Sequence, residues 1–118
     1  MLVKVHESDE FSEYIDLKSI IEKDDRNIFE VEEIVDLKVP KKTENGDSYN
    51  SLIVKAEYKF SENERRTLLK LACSDQMGGG TVVIRDEVST EWEKIPEGSN
   101  SSTKAKTILK TSKINSTR

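Results

Sequence analysis

The sequence predicts an α+β domain built on a single sheet. Two segments alternate apolar and polar residues with period two, two others place apolar residues at helical spacing, and β-branched runs stand near both ends of that set. In chain order the elements read β-α-β-β-α-β, the ferredoxin-like arrangement with both helices on one face of the sheet.

A short strand is expected over 1–6. Ser8 then has the side chain to cap a helix over 9–23, in which Phe11, Tyr14, Ile15, Leu17 and Ile21 form an inward stripe. Asp9, Glu13 and Asp16 fall on its outward side, and early acids suit the positive end of a helix dipole. In 29–39 the set Phe29, Val31, Val35, Leu37 and Val39 alternates with Glu30, Glu32, Ile34, Asp36 and Lys38, interrupted by Glu33. In 52–60 Leu52, Val54, Ala56, Tyr58 and Phe60 alternate with Ile53, Lys55, Glu57 and Lys59. Between them Asn45-Gly46 marks a turn, so the pair reads as a long antiparallel hairpin.

Ser61 and Glu64 fit a capping box ahead of a second helix carrying Leu68, Leu69, Leu71 and Ala72, with Gly78-Gly79-Gly80 beyond its end. A rival reading makes 65–73 a strand entered through a Ser61–Glu64 turn. The chain then becomes a mostly antiparallel β meander with one helix. A last strand is expected over 81–88. Residues 1–98 form the single domain, and 99–118 read as a disordered, Ser/Thr/Lys-rich basic tail.

The composition bounds the function. With 36% charged residues and 34% hydrophobic ones, the core is thin and the shell heavily solvated. Net charge is −4, which argues against wholesale attraction to nucleic acid or anionic lipid. No apolar run approaches the roughly 20 residues of a membrane helix, and the first residues lack the pattern of a secretory signal. One cysteine allows no internal disulfide, which predicts a cytoplasmic protein. Abundant Lys, Ile, Ser and Glu with three alanines predict an AT-rich coding genome, that of a low-GC bacterium or one of its phages.

Catalytic chemistry finds little to work with. His6 and Cys73 are the sole imidazole and thiol, too few for a structural zinc and without local support for a nucleophile pair. Asp24-Asp25 and Glu44-Asn45-Gly46-Asp47 do not match a calcium loop. The glycine triplet precedes a strand, whereas phosphate-cradling loops lead into a helix. The water-facing side of 52–60 carries no aromatic pair for base stacking. No catalytic residue, cofactor or metal site is predicted.

Charge, however, is sorted. Residues 1–38 hold 12 acids against 5 bases, and residues 96–118 hold 5 bases against Glu97. The expected function is therefore a non-catalytic protein-interaction module, a small inhibitor or adaptor of bacterial or phage origin. Its candidate surface is Asp9, Glu13, Asp16, Asp24 and Asp25, meeting a partner with a basic surface, with Trp92 as an anchor. The alternative is weak nucleic-acid contact through Lys104, Lys106, Lys110, Lys113 and Arg118 in the tail. A structural or assembly subunit that forms homo-oligomers is a further alternative; membrane attachment is not expected.

Overall fold

A computed structural model describes residues 1–24, 27–87 and 89–116, the side chains of 113–116 excepted. Among the described residues seven strands form one antiparallel sheet: β1 (Leu2–Glu7), β2 (Phe11–Asp24), β3 (Ile28–Lys42), β4 (Ser48–Lys59), β5 (Glu64–Cys73), β6 (Val82–Asp86) and β7 (Glu93–Lys94). The first six are neighbours in chain order, and β7 pairs with β5 near the start of that strand. An α-helix, α1 (Asn100–Ser116), follows. This is the antiparallel meander with one helix and not the ferredoxin-like order.

The correction has identifiable causes. Ser8 does not cap a helix; its Oγ accepts from the amides of Glu10 and Phe11, each at 3.2 Å, and closes the turn into β2. A serine hydroxyl serves turns and helix starts through the same local hydrogen bond. Segment 9–23 is therefore largely strand, paired with β1 on one side and β3 on the other. The Ser61–Glu64 stretch is likewise a turn, with Asn63 at φ 54°. Thr67 and Leu69 pair with the adjacent Ala56 and Lys55, which leaves Leu68 as an extra residue in β5. That bulge sets Leu68 and Leu69 side by side and produced the false helical stripe.

The hairpin of β3 and β4 is present, closed by Thr43–Asp47 with Gly46 at φ 88°. Glycine adopts this left-handed backbone without Cβ strain. Alternation puts Ile15, Phe29, Val31, Ala56 and Tyr58 on one sheet face, and Ala105 and Ile108 of α1 pack there to form the core with Ile95. The expected disordered tail is thus corrected: Ser99 Oγ accepts from the Ser102 amide at 3.1 Å and caps the helix that buries Ile108. The threonines do not prevent this. The hydroxyls of Thr107 and Thr111 donate to the carbonyls four residues back, at 3.0 and 2.9 Å.

Candidate functional site

The interruption at Glu33 marks the site. On a strand its neighbours Val31 and Val35 share its face, so the carboxylate points toward α1 and is 1% exposed. A buried charge needs partners, because leaving water costs several kcal/mol per ion. Three elements supply them, and β2 adds a second acid. Lys104 Nζ of α1 lies 2.8 Å from Glu33 Oε1 and 2.9 Å from Glu13 Oε1 of β2. Arg65 of β5 places Nη2 2.8 Å from Glu33 Oε1 and donates from Nε to Tyr58 Oη at 3.1 Å. Tyr58 of β4 donates its hydroxyl to Glu33 Oε2. Asn100 Nδ2 completes the set on Glu13 Oε2 at 2.8 Å.

These contacts fix the protonation states. Burial pushes the Glu33 carboxyl up, but Lys104, Arg65 and the Tyr58 hydrogen bond outweigh it and hold the carboxyl below its ordinary value. Burial and the neighbouring Glu33 charge push the Tyr58 phenol well above its usual range, so it stays a neutral donor. Arg65 is raised despite its burial, because Glu33 favours the charged form. An ionised acid saturated by three donors is a clamp between helix and sheet.

Beside this clamp a groove of about 500 Å³ opens between the N-terminal turn of α1 and the uncovered part of the sheet face. Phe11, Val35, Leu52 and Val54 form an apolar floor, Pro96 and Ser101 stand in the wall, and Lys70 lies at the rim. Clefts of this size and mixed lining suit binding of apolar groups with a few polar contacts.

The residues singled out from sequence are dispersed. Glu13 is buried in the clamp, whereas Asp16 lies on the opposite sheet face, its carboxylate 3.6 Å from the amino group of Met1. Asp9 sits in the β1–β2 turn and Asp24 at the far end of β2, both exposed; Asp25 lies outside the described residues. No helical acidic face exists, because a strand sends residues 13 and 16 to opposite sides. Trp92 is half-buried on the face away from α1, with Lys59 Nζ 4.3 Å and Arg66 Cζ 4.5 Å from its ring centre. Of the tail cations, Lys104 is enclosed in the clamp at 3% exposure, and Lys106 and Lys110 are exposed on α1. The Lys113 side chain and Arg118 lie outside the described residues. The nucleic-acid alternative thereby loses its first cation to the core.

His6 is in β1 against the Phe11 ring, and Cys73 is buried in β5. Three strands separate them, about 19 Å at the usual strand spacing. Among the described residues no three His, Cys, Asp or Glu side chains gather as metal ligands, and no helix is long and apolar enough to cross a membrane.

Residues 2–108 match the family described as surface-adhesin protein E. The chain belongs to that family. The matched span takes in all seven strands, the clamp and α1 as far as Ile108. A search of the curated proteins found no match. A surface-adhesin family points to the cell surface or beyond, so the expected cytoplasmic location and the cytoplasmic phage inhibitor are corrected. The misreading came from Cys73: one buried thiol with no cysteine partner in the sequence carries no information about redox compartment. The family description also points to contact with other molecules and not to catalysis.

Proposed function

We propose that this chain is a cell-surface binding protein that attaches its cell to a partner protein by contact, without catalysis. The family match over residues 2–108 carries this reading. The structure supports it with a sheet face that α1 covers only in part, and with a buried ionic clamp that holds the helix in one position beside the groove. A fixed helix keeps the groove open before any partner arrives, which lowers the entropy cost of binding.

The test compares cells that display the chain with cells that lack it, on layers of purified extracellular proteins. More cells should remain attached after washing when the chain is present, and soluble chain should compete the difference away. Equal attachment with the chain verified at the surface would overturn the proposal.

A further inference from the structure

We propose that Asn45 is a site of spontaneous covalent modification, where the Asn45-Gly46 turn passes through a cyclic imide to aspartyl and isoaspartyl forms. The site does not depend on the adhesion reading.

The chemistry needs a free asparagine side chain and an unshielded nitrogen on the next residue. The Gly46 nitrogen gives its proton to a solvent base and bonds to the side-chain carbonyl carbon of Asn45. The carbon–nitrogen bond of the side-chain amide breaks, and ammonia leaves. Water then opens the imide ring. Attack at the side-chain carbonyl gives aspartate in the original backbone. Attack at the main-chain carbonyl gives isoaspartate, with the chain running through the former side chain. Glycine in the second place matters because it has no Cβ to crowd the ring.

The structure singles out this asparagine. Asn50 Nδ2 donates to the Ser74 carbonyl at 2.7 Å, Asn63 Nδ2 to the Ile95 carbonyl at 3.3 Å and Asn100 Nδ2 to Glu13 Oε2 at 2.8 Å. Asn27 Oδ1 accepts from the Ser61 amide at 2.7 Å. The Asn45 side chain is exposed and forms no hydrogen bond among the described residues. It is also the one asparagine of the sequence that glycine follows.

The turn can give way locally. Glu44, Asn45, Gly46 and Asp47 are all exposed, and a Cβ at Gly46 would meet nothing within 4 Å. One bond opposes the attack, from the Gly46 N–H to the Thr43 carbonyl at 3.0 Å. An exposed tip opens without disturbing the sheet, so this bond slows the reaction and does not stop it. Either product sets a third acid beside Glu44 and Asp47 and adds one negative charge to a chain of net −4. The isoaspartyl form also adds a methylene to the backbone between Thr43 and Asp47, whose mutual hydrogen bonds close the hairpin.

The experiment stores the full chain in warm, mildly alkaline buffer. Electrophoresis resolves the charge change, peptide mapping by mass spectrometry locates it, and enzymatic methyl transfer reads isoaspartate. The mass of aspartate should replace that of asparagine at position 45 at least about ten-fold faster than at Asn27, Asn50, Asn63 or Asn100. An end-blocked peptide of residues 41–49 should convert faster than the folded chain, because it lacks the Thr43 bond. Asn45→Gln, at an exposed position, should abolish the new acidic species, since glutamine closes a larger ring more slowly. Backbone amide resonances of Thr43, Asp47 and Ser48 should move on storage, while those of Glu33 and Lys104 hold. An intact Asn45 in the chain once the peptide has converted would overturn the proposal. So would equal conversion at the tethered asparagines, or an acidic species that persists in Asn45→Gln.

Discussion

Replacing Lys104 by methionine tests whether the clamp holds the helix. Lys104 is 3% exposed and its Nζ serves Glu33 and Glu13 together, at 2.8 and 2.9 Å. Methionine fills similar space and removes the charge. Glu13 would keep Asn100, and Glu33 would keep Arg65 and Tyr58. Removing one partner of a buried pair costs about 3–5 kcal/mol. The surviving Arg65 contact places Lys104→Met at the low end, about 3 kcal/mol, a large fraction of an ordinary domain's stability. Urea denaturation followed by circular dichroism reads this loss, with Lys106→Met on the exposed side of α1 as control at about 0.5 kcal/mol or less. Adding Glu13→Gln and Glu33→Gln to Lys104→Met should recover part of the loss, because the uncompensated charges go with it. A Lys104→Met loss no larger than that of Lys106→Met would refute the clamp.

Three more outcomes are expected. Ile108→Ala should cost about 3 kcal/mol, since the side chain is fully buried; an untethered tail would show no change in the same denaturation curve. Glu33 and Glu57 both have carboxyls held below the ordinary value, Glu57 by Lys23 and Arg66 against its burial. Their folded-state stabilisation is present above the unfolded carboxylate pKa of about 4.3 and is lost as pH falls through the lower folded values. Thermal midpoints should therefore be level near neutrality and drop in acid, with a shallower drop for Glu33→Gln; an unchanged acid slope in that variant would contradict the assignment. Gly80→Ala should destabilise by about 2 kcal/mol in thermal denaturation: φ is +76° and a Cβ would lie 2.1 Å from Ser74 Oγ. A neutral result would mean the 74–80 turn rearranges freely.

The sequence made the β3–β4 hairpin legible because period-two alternation continues there for many residues and Asn45-Gly46 fits its turn. Segment 9–23 was harder. Phe11 and Ile15 share a face under helical and strand periods alike, and Ser8 supports either a cap or a turn. Only pairing with β1 and β3, a long-range event, decides between them. Helix α1 was hidden by composition, since Ser, Thr and Lys dominate it and Ala105 and Ile108 are the residues of it in the core cluster. The site left one trace, an acid at an inward position of β3. Its partners Lys104, Arg65 and Tyr58 come from three other elements, and no local pattern links them. Lys104 was read as a free tail cation because charge counts ignore direction; its place four residues before Ile108 on the same helix side was the available signal.

Treating intact cells with a membrane-impermeant amine-reactive biotin tests surface display most directly. The chain has exposed lysines, among them Lys70, Lys106 and Lys110. The account predicts biotinylation of the chain on unbroken cells, with a cytoplasmic marker protein unlabelled in the same sample. Labelling of the chain only after the cells are broken would contradict it.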